Sequence, residues 1–289
     1  MKHIALIMLT LSLLAANGLW AQTVEHNWND YHERSLTTLQ CAMPLPYVRE
    51  SDVIWELIVW RTIDLHEEYN QFMYFPLDID DPSGKINLAN LFWTAVVNNE
   101  IQIYEDDELK IPIDNDIFVR NYTRPDTIQL EIGYDDDDNE VYQTIIRPRE
   151  FDAGEILQFS LKEAWFIDKQ DNRQFVRLLA IAPYKDEFRM FGEEEMYVGR
   201  LPLFWVPLQS MQVRNMMATR IAYYQENNLA IQPSWDHIFN SHNYSSFITR
   251  ETNRFNRAIS AYLTGEDAMM EADRIENKLL DVSIDMWEY

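Results

Sequence analysis

Residues 159–183 constrain this chain more than any other stretch. Two runs of β-forming residues, rich in Phe, Trp, Ile, Val and Leu, flank a polar break at 168–173. β-branched and aromatic side chains suit a pleated, half-buried surface, so two such runs across a short polar turn predict a hairpin with one apolar face. The hairpin carries no recognisable catalytic arrangement. It fixes an antiparallel sheet as the centre of the fold.

Around this hairpin the remaining elements fall into place. Ser51 is expected to cap a helix over 51–69, with Asp52 in its first turn; Val53, Ile54, Trp55, Leu57, Ile58, Val59 and Trp60 would leave that helix almost wholly buried. After a loop over 76–84, Asn87 caps a helix over 88–98. Strand-like pieces follow at 101–104, 127–133 and 141–147, the last two joined as a hairpin across the charged tip 135–139. The long hairpin extends over 156–183, and 196–208 is again strand-like. From 209 the pattern turns mostly helical. Ile238 and Phe239 lie in a short helical piece after Pro233, and 244–252 is polar-aromatic and extended. Thr264 and Asp267 resemble a capping box, and Ala268, Ala272, Ile275 and Leu279 then mark one face of an amphipathic helix ending near 281. With no regular alternation of strand and helix, the fold class is α+β, with helices at both ends of a central antiparallel β-hairpin-rich region.

The first 21 residues have the layout of a secretory signal peptide: Lys2, an apolar run over 4–16, and small residues ending at Ala21. Cleavage is expected after Ala21, with Gly18 as the alternative. Cys41 lies too far beyond the apolar run to accept a lipid, and as the single cysteine it forms no internal disulfide. It reads as a buried apolar filler, with an exposed thiol as the alternative. Residues 22–50, broken by Pro44 and Pro46, form an extended N-terminal arm. Residues 51–289 form a single α+β domain, with a C-terminal helical subdomain from about 209 as an option within it. The richest later apolar stretch, 53–63, is interrupted by Glu56 and Arg61, so no transmembrane segment is expected.

The net charge of −24 excludes nucleic acid and anionic lipid as partners, because both require clustered Lys and Arg. Acidic runs recur at 78–81, 105–108, 135–138 and 193–195, and read as solvated loops. No metal is expected in them. In the stretch from Asp78, Ser83 and Ala89 hold the positions where an EF-hand loop needs Gly and Glu, and adjacent aspartates at 135–138 diverge. Seven glycines, none in a phosphate-cradling motif, exclude a nucleotide cofactor.

Ser234, Trp235, Asp236 and His237 contain the residue types of a hydrolytic triad, but adjacency in sequence is not triad geometry; Ser234 reads as a helix cap after Pro233. His237 and His242 are five apart and miss a common helical face. Neither catalytic nor cofactor-binding nor metal residues are assigned. Trp55, Trp60, Trp93 and Trp165 stand beside aliphatics and read as core, whereas Trp28, Trp235 and Trp287 stand in polar settings that suit partner contacts.

Several separated phrases resemble the GldN/PorN family of the type IX secretion and gliding machinery of Bacteroidetes. They are Val59-Trp60-Arg61-Thr62-Ile63-Asp64-Leu65, Phe72-Met73-Tyr74-Phe75-Pro76, Glu163-Ala164-Trp165-Phe166-Ile167-Asp168-Lys169 and the segment 202–207. Trp235-Asp236-His237-Ile238-Phe239, Phe247-Ile248 and the tail from Tyr262 to Ala268, with Arg274-Ile275, complete the set. The resemblance implies a non-catalytic, periplasmic structural protein associated with the outer membrane. Its partners would be the lipoprotein GldK/PorK, with which it would form a ring by self-association, and the periplasmic region of GldM/PorM. The rival reading from the residues is a periplasmic glycan-binding or glycan-cleaving protein, and a third is a calcium-dependent adhesion module.

Overall fold

In the computed structural model, which describes residues 41–77, 85–134, 140–147, 149–191, 194–224 and 232–285, the long hairpin is the spine of the sheet. The strands in chain order are β1 (Val53–Asp64), β2 (Ile103–Tyr104), β3 (Pro112–Ile113), β4 (Asp126–Tyr134), β5 (Glu140–Arg147), β6 (Ile156–Asp168), β7 (Arg173–Phe191), β8 (Glu194–Pro202), β9 (Val206–Pro207) and β10 (Phe247–Glu251). The helices are α1 (Gln71–Tyr74), α2 (Leu88–Val97), α3 (Asn115–Tyr122), α4 (Met211–Thr219), α5 (Trp235–Asn240) and α6 (Glu266–Asp285). The fold is α+β, and its central sheet has six strands in the order β10-β1-β6-β7-β8, with β9 paired to β7; every pairing is antiparallel. β2 with β3, and β4 with β5, form separate two-stranded hairpins, the second joining the two runs expected to pair; its tip at 135–139 lies outside the described residues.

The helix expected over 51–69 is instead β1, preceded by a short 3-10 turn at Glu50–Asp52, and Ser51 caps nothing. The reason lies in burial. β1 runs between β6 and β10, and Val59, Trp60 and Arg61 are buried on both faces of the sheet, so the alternation that marks a half-exposed strand disappears. A continuous apolar run is shared by buried strands and buried helices; here the β-branched and aromatic content decides. The cap at Asn87 is as expected: its side chain accepts a hydrogen bond from the backbone N–H of Asn90, and α2 follows. β10 lies inside the extended stretch 244–252, and α6 runs on to Asp285.

Side chains at alternate positions of β1 and β6 divide between the two faces of the sheet. On one face Leu57, Val59 and Ile248 meet Ala272, Ile275 and Leu279 of α6. Further along the same face Ile63, Phe159 and Leu161 pack against a larger cluster with Phe72, Phe92, Val213, Trp235 and Phe239 from α1, α2, α4 and α5. On the opposite face Trp60, Ala180 and Ala182 meet Trp205, with Tyr104 and Leu109 alongside. The described residues all belong to one compact unit, residues 37–289. Within it, the end of the proline-containing arm is held by hydrogen bonds: the Ala42 N–H donates to Asn215, Arg214 to the Met43 carbonyl, and Arg177 to the Pro46 carbonyl.

Candidate functional site

Where the two apolar clusters meet on the helix-covered face, the sheet buries a charge. Glu163 on β6 is 0% exposed. Its carboxylate accepts hydrogen bonds from Arg61 Nε at 3.0 Å, Trp165 Nε1 at 3.0 Å and the Tyr244 hydroxyl at 3.2 Å. The register places Val59 opposite Glu163 and Arg61 opposite Leu161, so the guanidinium reaches diagonally across the strand pair. A second nitrogen of Arg61 donates to Glu276 of α6 at 3.2 Å. One carboxylate thus joins two strands to the segment before β10, and its arginine extends the network to the C-terminal helix. Burial, then the neighbouring Glu163 charge, pushes the Tyr244 phenol well above the ordinary tyrosine range. His242 Nε2 lies 3.9 Å from Glu163, outside hydrogen-bond distance.

The opposite face has a different arrangement. Trp60 stands directly across from Arg250 on one side and Lys162 on the other. The Arg250 guanidinium lies 3.4 Å from the indole centroid and the Lys162 ammonium 5.1 Å, so two cations flank one π-system. The loop between β2 and β3 closes over them. Asp107 pairs with Arg250, and its carbonyl accepts from Lys162 Nζ at 2.8 Å. Burial holds the Lys162 ammonium below the usual lysine value. The acidic run at 105–108 is therefore partly structural, since the Asp106 carboxylate also accepts the backbone N–H groups of Lys110 and Ile111 within its own turn.

The residues weighed for hydrolysis do not form a triad. Ser234 Oγ accepts from the backbone N–H of His237 at 3.3 Å, the expected cap of α5. The Asp236 carboxylate accepts from Arg214 Nε at 3.2 Å and from Asn240, rather than from the His237 ring. His237 and His242 are both exposed. No group of three or more His, Cys, Asp or Glu side chains placed to hold a metal occurs among the described residues; the runs at 78–81 and 135–138 lie outside them.

Two assignments are corrected. Cys41 is exposed rather than buried. Trp235 is 0% exposed, stacked on Phe72 with centroids 6.0 Å apart, so it presents no platform to a partner or a glycan. Its polar neighbours are a cap, an ion pair and an exposed histidine, each pointing away from the indole because consecutive helical residues diverge. Trp60 and Trp93 are buried as expected, while Trp55 and Trp165 are half-buried against the α6 cluster. Trp28 and Trp287 lie outside the described residues.

Reasoning from residue chemistry missed Arg61, which read as an interruption of an apolar run, and gave Glu163 no role of its own. The signal was in the phrases that carried the family resemblance. Residues 59–65 and 163–169, about a hundred positions apart, fall largely on the paired strands β1 and β6 and meet where Val59 stands opposite Glu163, and Phe247 and Ile248 pair with Thr62 and Arg61. The segment 202–207 ends in β9, with Trp205 bridged to Tyr104 over the same sheet.

Sheet, helical cover and buried ionic network together define an α+β domain in which the buried Arg61–Glu163 pair joins the domain's own elements. The chain belongs to the family described as gliding motility associated protein GldN, whose profile matches residues 48–288. It is accordingly a component of the gliding motility and type IX secretion machinery. A search of curated proteins finds no significant match. Among the described residues no helix is long and apolar enough to cross a membrane.

Proposed function

We propose that the chain is a non-catalytic structural component of the type IX secretion apparatus. In this reading it is exported to the periplasm by the signal peptide at 1–21. There it associates with the outer-membrane lipoprotein GldK/PorK in a self-associating ring and contacts the periplasmic region of GldM/PorM. The observation that carries the reading is the family match over 48–288. The engagement of Ser234, Asp236 and Glu163 in a cap and two ion pairs supports it, since each of these polar groups has a structural partner.

Affinity isolation of the tagged mature chain from an envelope fraction tests the proposal. Stoichiometric recovery of the lipoprotein, and of the GldM/PorM periplasmic region, is the expected result. Cells carrying His237→Ala or Asp236→Ala should still secrete type IX cargo at normal protein level. Loss of secretion with normally assembled His237→Ala protein would reopen a chemical role. Saturable binding to cell-wall or polysaccharide fragments without lipoprotein recovery would replace the scaffold with the glycan-binding reading.

A further inference from the structure

α6 has two apolar sides, and the sheet uses only one. Ala272, Ile275 and Leu279 are buried against β1 and β10. Away from them, Met269, Met270, Leu280 and Ile284 are 71%, 63%, 52% and 57% exposed. Positions 269, 273, 280 and 284 are separated by four, seven and four residues, which places them in one stripe along the helix. A helix that only covers a sheet needs one such stripe; a second, rimmed by polar groups, marks a contact surface.

The charges on the helix say what kind of contact. Both of its cations are taken: Arg274 binds Glu271 at 2.6 Å, and Lys278 binds Glu251 at 3.5 Å. Glu276 is held by Arg61. Glu266, Asp267, Asp273 and Asp281 are exposed and have no ion pair among the described residues. Asp273 interrupts the apolar stripe and Asp281 borders it; both line a shallow groove along the helix with Met270, Asn277 and Val282, and the groove's two cations, Arg274 and Lys278, are the ones already paired with Glu271 and Glu251. The outward face is thus apolar with unneutralised acid in and beside it. A second copy meeting it through the same face would set Asp273 and Asp281 against their own equivalents. A membrane surface is disfavoured for the same reason, since anionic lipid repels it.

We propose that the outward face of α6, centred on Met269, Asp273, Leu280 and Ile284, is a docking surface for an amphipathic helix of a partner protein that carries Leu-like anchors flanked by Lys or Arg. The apolar anchors would cover the stripe, and the cations would neutralise Asp273 and Asp281. The flexible methionines at one end let the face adapt to the shape of the anchors.

The test is titration of the purified mature chain with synthetic probes at two salt concentrations. The first probe is a peptide of Leu at helical spacing with Lys at the remaining positions; the second has Glu in place of Lys; the third is the first with its sequence scrambled. Selective, salt-weakened binding of the first is expected. The pairs Leu280→Asn with Ile284→Asn, and Asp273→Lys with Asp281→Lys, should each weaken it at least tenfold at unchanged melting temperature. The charge reversals Glu50→Lys with Glu67→Lys, outside α6, should leave it unchanged. All three are surface changes, and the apolar and charge-reversal pairs read the same face through different chemistry. Equal binding of the scrambled peptide, or unchanged affinity in both α6 variants, would overturn the proposal. So would self-association of the wild-type chain, or binding to zwitterionic vesicles, that the α6 substitutions abolish.

Discussion

Removing the charge of Glu163 by Glu163→Gln preserves the volume of the side chain; an amide oxygen in place of Oε2 still accepts from Trp165, and the NH2 in place of Oε1 faces the Tyr244 hydroxyl, to which it can donate. It leaves the Arg61 guanidinium buried with Glu276 as its remaining anionic partner, at 3.2 Å and with 44% of that side chain exposed. Breaking a buried ion pair from one side costs about 3–5 kcal/mol, and the partial help from Glu276 places this variant near the lower end, about 3 kcal/mol. Arg61→Met makes the complementary break. It strands a carboxylate with two neutral donors and costs about 3 kcal/mol at pH 7. In the double variant no charge is left buried; the amide oxygen still accepts from Trp165 and its NH2 can donate to the Tyr244 hydroxyl. Its cost should fall short of the sum by up to about 3 kcal/mol, the coupling of residues in direct contact. Total stability of a domain is about 5–15 kcal/mol, so each single change should visibly shift a urea midpoint at unchanged slope. Urea melts of the four proteins followed by fluorescence and circular dichroism at pH 7 give the four corners of the cycle. Costs below about 1 kcal/mol that simply add would show that the pair is solvated and that the account of the sheet interior is wrong.

Two further outcomes follow from the same network and from the α5 cap. The raised Tyr244 pKa contributes stability that is fully present below the unfolded tyrosine value near 10 and is lost as pH rises toward the folded value, by about 1.4 kcal/mol per pH unit. Tyr244→Phe should therefore lose about 1 kcal/mol at pH 7 and decline less steeply above pH 10; parallel curves would show that Tyr244 titrates as an exposed phenol. Some alkaline decline should remain, because burial also pushes Tyr122 up to about 12. Ser234→Ala should cost about 1 kcal/mol by thermal melting, and Ser234→Asn should restore most of it; no loss on Ala substitution would mean that the cap contributes nothing.

Much of the fold was legible because several of its elements obey local rules. The 156–183 hairpin shows β-forming residues on either side of a polar turn, and α2 begins at an asparagine whose side chain makes the expected bond. α6 shows its core stripe at helical spacing. β1 was illegible for the opposite reason: a central strand covered on both sides carries no periodicity, so local pattern cannot separate it from a buried helix. Trp235 misled because Ser234, Asp236 and His237 are its neighbours in sequence but not on its face of α5. The ionic network escaped because the partners of Glu163 come from positions 61, 165 and 244, and their convergence is set by the register of strands far apart in the chain.

That network also bears on which of several near-equivalent sheets the chain adopts. Around Val59 and Trp60 both faces of β1 are covered, so hydrophobicity alone distinguishes poorly between the native alignment with β6 and one displaced by a single residue. A displacement of one residue would turn Arg61 to the other face, toward Lys162, and leave Glu163 enclosed without its cation. Two residues would keep the face but move the guanidinium several ångströms along the strand. Either slip would strand charge in an interior that cannot solvate it. The arginine and glutamate thus act as a key cut into an otherwise greasy strand pair: whatever they contribute to the depth of the native minimum, they raise the neighbouring ones. A chain lacking both would be expected to form the sheet, but to form it less uniquely.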